Sequence, residues 1–168
     1  VDEHTIQTIG HLAAIERGEL VEELPVASAI LGSGLNRKVI YISLLLHDIG
    51  KGQIEDHSVL GAKIARDVAP RLGLNPRESE NVEWLVRHHL LMSDMAQKRD
   101  IADPRTVRDF AKAVQSVKRL DLLTVLTVCD ISGVGPGVWN NWKAVLIRAL
   151  YRQTKKALET GLEDLNRE

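Results

Sequence analysis

With 168 residues, 44% hydrophobic and 27% charged side chains and a formal net charge of −1, the chain can bury a core without staples and is most simply one domain, residues 1–168. The charge balance gives no case for nucleic acid, no apolar run reaches the roughly 18 residues that span a bilayer, and the start VDEHTIQTIG lacks a signal pattern. A cytoplasmic protein with neither a nucleic-acid nor a membrane partner is therefore expected.

The apolar spacing is helical nearly throughout, and no stretch alternates with period two between hairpin turns, so an all-α chain is predicted. It opens in what reads as the first turn of a helix, which suggests a piece of something larger. The first helix runs from about His4 to Arg17, with Ile6, Ile9, Leu12, Ala13 and Ile15 as its stripe. LPVASAILGSGLN, Leu24 to Asn36, reads as a loop rich in turn residues. A second helix covers about Arg37 to Asp48, and the glycines of GKG, Gly50 to Gly52, end it. Asp56 is the predicted N-cap of a third helix carrying Val59, Leu60, Ala62, Ile64 and Val68.

Asn75, Pro76 and Glu78 predict a capping box at the start of the next helix, expected to continue through VEWLVRHHLLM, Val82 to Met92. Asp103 and Pro104 repeat the device. A long apolar helix then runs from about Leu120 to near SGVGPG, Ser132 to Gly137, and a final amphipathic one from Trp139 to past Leu158. The single cysteine, Cys129 in LLTVLTVCD, excludes an internal disulfide and any multi-cysteine zinc site and reads as a small core residue.

Polar residues interrupt this apolar pattern at particular places. The run VIYISLLL, Val39 to Leu46, ends in the adjacent pair His47 and Asp48, where an unpaired buried carboxylate would cost several kcal/mol. His4 begins the first helix, His57 follows the Asp56 cap, His89 precedes LLM, and Asp130 ends LLTVLTVC. Taken singly, each histidine reads as a hydrogen-bonded core residue and Asp130 as a cap for a neighbour. As a set they offer the imidazole nitrogens and carboxylate oxygens that divalent transition metals accept, and ligation cancels the cost of burying them. Adjacent helical residues point about 100° apart, so His47 and Asp48 can share an ion only if it is cupped beside the helix end.

The order of a histidine, an adjacent His-Asp pair and a distant aspartate resembles the HD superfamily of metal-dependent phosphohydrolases. His57 and His89 match the two further slots of its two-metal branch. More narrowly, VDEHT, LLHDIGKG, DHSVLGA, HLLMSDMAQKRDIADP and LTVCDISGVGPGVWNNWK resemble the HD domain of the bifunctional PII uridylyltransferase/uridylyl-removing enzymes. The resemblance implies a compact helical HD fold with a metal site between core helices. It further implies hydrolysis of UMP from a tyrosine of uridylylated PII, the nitrogen-signalling protein that would be the partner, alongside the other domains of a parent enzyme. Neither that family's nucleotidyltransferase domain nor its ACT domains is recognisable here.

By the same resemblance, His4, His47, Asp48 and Asp130 would bind one ion and His57 with His89 would complete a second, Asp48 bridging them. One or two divalent ions are expected, whether manganese, iron, zinc or magnesium. They would lower the pKa of a bound water and hold a phosphate oxygen. His47, Asp48 and Lys51 are the candidate catalytic residues, Lys51 either neutralising phosphate charge or lying solvated at a helix end. Lys98 and Arg99 either steer the UMP phosphate or an acidic partner, or are a solvated pair. His88 either lines the pocket or is solvated, and His11 is read as structural or surface. Trp139 and Trp142, three apart and hence on one face, are expected to pack in the core rather than stack on uracil. Two rival functions keep the fold: a phosphohydrolase of a small nucleotide, and a non-catalytic helical regulatory module with or without a structural metal.

Overall fold

The structure is a computed structural model that describes residues 3–49, 57–132 and 141–167, the side chains of His57, Asn141 and residues 162–167 excepted. All its described regular elements are helices. They are α1 (Glu3–Glu16), α2 (Pro25–Gly32), α3 (Arg37–Leu46), α4 (His57–Arg71), α5 (Pro76–Arg87), α6 (Leu91–Lys98), α7 (Pro104–Val114), α8 (Val117–Ser132) and α9 (Asn141–Arg167). None is long and apolar enough to cross a membrane.

The centre of the molecule is α8, where every residue from Leu122 to Cys129 is buried. A helix apolar around its whole circumference is stable only when surrounded, and α8 packs against α1, α2, α3, α5, α6, α7 and α9. Cys129 is fully buried among them, and burial pushes its thiol pKa up. On α1 the buried line is Thr5, Thr8, Leu12 and Ile15. The expected aliphatic stripe is thus corrected at its start, since Ile6 is 61% exposed. Steps of three and four back from Leu12 and Ile15 pass through the threonines, and one step more brings His4 to the same side.

A second correction concerns Leu24 to Asn36, read as a loop. Pro25 opens α2 in the first turn, where its missing N–H removes no intrahelical bond. Ala27 and Ile30 are buried, and the helix packs on α1 and α8. With eight residues it is too short to display a period. The third correction is a break in the helix expected through Val82–Met92: α5 ends at Arg87, residues 88–90 form a turn, and α6 starts at Leu91. Leu85, Val86 and Met92 are all in the core, so the apolar pattern runs unbroken across a backbone that is not.

The N-caps of α3 and α5 act through their side chains, whereas those of α2 and α6 make no side-chain cap bond. Asn75 accepts from the N–H of Glu78 (2.8 Å) and Glu78 accepts in return from the N–H of Asn75 (3.0 Å). Asn36, the N-cap of α3, accepts from the N–H of Val39 (3.2 Å) and donates its amide to the same Glu78 (2.8 Å). The N-termini of α3 and α5 are therefore tied together, and the two helices run side by side in the same direction. Ala62, Ala65 and Ala69 bury the inner face of α4, small enough to bring it close to α5. At the start of α9 the inner face is Ala144, Ile147 and Tyr151, while Trp142 is 63% exposed. The core role expected for Trp142 is corrected accordingly; Trp139 lies outside the described residues.

Candidate metal centre

Of the side chains that interrupt the apolar pattern, those of His4, His47, Asp48, His89 and Asp130 converge at one end of the α3–α5 pair. His4 comes from the first turn of α1, His47 is the C-cap of α3 with Asp48 next to it, and Asp130 lies near the end of α8. These four offer ligand atoms that all lie within 4.8 Å of one another. Asp130 Oδ1 sits 2.7 Å from His4 Nε2 and 3.3 Å from His47 Nε2. Asp48 Oδ2 is 3.2 Å from His47 Nε2 and 3.8 Å from His4 Nε2. The other oxygen of Asp48, Oδ1, faces His89 Nε2 at 3.8 Å. His89 stands in the turn that breaks α5 from α6, with its ring 5.4 Å from that of His47.

Both inner histidines are oriented by a backbone carbonyl. His47 donates its Nδ1–H to the carbonyl of Leu44 (2.5 Å), and His89 donates its Nδ1–H to that of Val86 (2.7 Å). Each acceptor belongs to the last turn of a helix, where carbonyls lack an intrahelical partner. The bond fixes the tautomer and turns Nε2 toward the carboxylates, the arrangement that metal-binding imidazoles need. His47 and His89 are nearly inaccessible, whereas the side chains of His4, Asp48 and Asp130 keep 15–21% of their surface. The cluster is closed behind and open in front.

Its electrostatics are those of a cation site. Burial opposes a charge on His47, but hydrogen bonds to Asp130 and Asp48 outweigh it and raise its pKa to about 10. The His47 hydrogen bond holds Asp48 down to about 2 against the effect of burial, with the charges of His47, His89 and His4 adding to it. Asp130 is also lowered, burial being outweighed by its bonds to His47 and His4. His89 is lowered, by burial first, which favours the neutral ring a metal requires. Donors around an ion at about 2.0–2.2 Å stand roughly 3–4 Å apart, so the two imidazoles and two carboxylates fit a divalent ion that replaces the His47 proton.

Other expected residues are not brought to this cluster. Lys98 pairs with Asp94 (3.5 Å) and Arg99 with Asp109 (3.2 Å), at the far end of α6, about 10 Å along its axis from Leu91. His88 lies against Trp84 with the rings tilted at 43° and their centroids 4.9 Å apart, and its pKa is lowered by burial and by Arg87 and Arg119. His11 bonds the carbonyl of Gln7 (3.1 Å). Lys51 and the side chain of His57 lie outside the described residues. The carbonyls of Leu44 and Val86 leave one mark in the sequence, a histidine placed three residues after an aliphatic core position at a helix end.

An all-helical fold that gathers a His-Asp pair, a histidine and a distant aspartate at one point defines a class. The family model described as HD domain matches residues 1–126, and the chain belongs to the HD domain family. Among curated proteins it is 76% identical over all 168 residues to a bifunctional uridylyltransferase/uridylyl-removing enzyme of Ruegeria pomeroyi, and 75% identical over 168 to one of Cereibacter sphaeroides. An enzyme of the same description from Azospirillum brasilense is 53% identical over 162 residues, 96% of this chain. The chain spans only 17–18% of the length of these relatives.

Proposed function

We propose that the chain acts in the cytoplasm as the hydrolase domain of a longer enzyme, removing UMP from a uridylylated tyrosine of PII with one or two divalent ions. The single observation behind this reading is the four-donor cluster of His4, His47, Asp48 and Asp130, in a chain whose relatives are named uridylyl-removing enzymes. A divalent ion in such a set lowers the pKa of a coordinated water toward neutrality and withdraws charge from a phosphoryl oxygen. Manganese, iron and zinc suit imidazole with carboxylate, magnesium less so.

His4, His47, Asp48 and Asp130 would hold the first ion, their two carboxylates balancing its charge. Asp48, with one oxygen toward His47 and the other toward His89, would be shared with a second ion, which His89 and His57 would complete. Leu44 and Val86 keep both inner rings from swinging away. The reaction breaks the bond from phosphorus to the tyrosine oxygen and forms one to a water oxygen. The proton of that water ends on the tyrosine.

The test is UMP release from uridylylated PII by this chain, with manganese, with a chelator, and with Asp48→Ala. Release that needs metal and vanishes in the variant supports the reading. Hydrolysis of small nucleotides without release from PII would transfer the chain to a small-nucleotide phosphohydrolase. No turnover from a folded, metal-loaded chain would leave the regulatory module.

A further inference from the structure

Helices α7 and α9 lie side by side, and an open groove of about 880 Å³ runs between them. On α7 it is lined by Val107, Arg108, Ala111 and Lys112, spaced by three and four and hence on one helix face. On α9 it takes Lys156 and Leu158. The floor is apolar, from Val107, Ala111 and Leu158. The rim is cationic, from Arg108, Lys112 and Lys156.

Among the described residues no carboxylate lines this groove, and none of the three cations has one within ion-pairing distance. Their neighbours differ: Lys98, Arg99 and Arg105 are all paired, with Asp94, Asp109 and Asp103. The chain as a whole carries −1, so three cations without an anion among the described lining residues are a local segregation. Lys112, in the last turn of α7, is accounted for by the helix dipole. Arg108 and Lys156 lie within their helices and are not.

We propose that the α7–α9 groove docks an acidic amphipathic helix of a protein partner. Two adjacent helices leave a channel that accepts a third. The guest's apolar residues at every third or fourth position meet the floor, and carboxylates flanking them meet the rim. Charge complementarity selects this guest over a neutral or basic one and excludes wrong partners by repulsion. The groove is separate from the His-Asp cluster and does not depend on the hydrolase reading.

The probe is a labelled peptide about four turns long, with leucines along one face and glutamates beside them, titrated into the chain and followed by fluorescence anisotropy. A peptide of the same composition in scrambled order is the control. Binding of the patterned peptide alone, weakened about tenfold or more by Arg108→Glu with Lys112→Glu, is the expected result. Both changes are at exposed positions, and circular dichroism verifies that the variant stays folded. Equal binding of the scrambled peptide, or no effect of the charge reversal, overturns the proposal. A dimer in sedimentation that the double variant abolishes would overturn it too, assigning the groove to a second copy of the chain.

Discussion

His4 and Asp130 stand 126 positions apart in the chain and meet at 2.7 Å. The contact joins the first turn of α1 to the end of α8, and each residue is one of the four donors. Asp130→Asn keeps the shape and removes the charge. It should lower manganese affinity by at least the 10–100-fold that loss of a supporting residue costs a metal site, read by calorimetric titration, with hydrolysis falling in parallel. Unchanged affinity would remove Asp130 from the ligand set.

His4 and His89 should separate in a metal titration. His4→Gln takes a donor from the four-membered set, whereas His89→Gln removes an imidazole outside that set, one that faces the other oxygen of Asp48. Native mass spectrometry should therefore show the tight ion lost in the first variant and only the ion count per chain lowered in the second. Identical losses would mean one shared ion.

The metal-free protein should show a stability maximum near pH 6.5. His47 rises from 6.5 to about 10 on folding, so its contribution is complete below pH 6.5 and is lost as pH climbs toward 10. Asp48, moved from 3.8 to about 2, contributes above pH 3.8 and loses that contribution as pH falls toward 2. Burial of neutral His89 adds its own loss on the acid side, as pH falls below about 6.5. Melting temperatures in chelator should decline on both limbs. Manganese should counter the alkaline decline, since it displaces the His47 proton, and the gain in melting temperature should grow from pH 6 to pH 9. A gain that is flat across that range would exclude His47 as a ligand.

The core offers a simpler test. Leu126→Ala empties a fully buried position at the centre of α8 and should cost about 2–5 kcal/mol in denaturant unfolding. A cost under about 1 kcal/mol would mean that α8 is not enclosed.

Asn36→Ala removes the cap of α3 and should cost about 1 kcal/mol, a fall of roughly 2–4 °C in melting temperature for a chain of this size. It also takes from Glu78 one of its two bonds, leaving the one to the Asn75 N–H. Combined with Glu78→Ala, the two losses should be less than additive because they share one contact. The double variant should also weaken metal binding, though neither residue touches the cluster. Full additivity would deny the tie between α3 and α5.

How much of this was legible follows from what kind of signal each part leaves. The His-Asp pair, His4, His89 and Asp130 stood out because each interrupts or flanks an apolar run, and the Asn75–Glu78 box stood out because its chemistry is local. α2 did not, being two turns long and dressed in serine and glycine. The break after Arg87 was hidden because core residues continue on both sides of it. Ile6 and Trp142 are apolar, yet the helix phase set by Leu12 and Ile15, and by Ala144 and Ile147, turns them outward. The Asn36–Glu78 bond joins residues 42 apart, and no local pattern encodes that.

That bond has a mechanical reading. α3 and α5 are two rods clamped at one end by Asn36 and Glu78, each carrying an imidazole at the other. Their lengths, about 15 and 18 Å, therefore set how far His47 can slide past His89. A slip of one helical turn would move a ring by about 5.4 Å, the separation the rings now have. The clamp thus acts as a gauge block: it sets the spacing of two imidazoles from the opposite end of the helix pair, where substitutions would pass for surface changes.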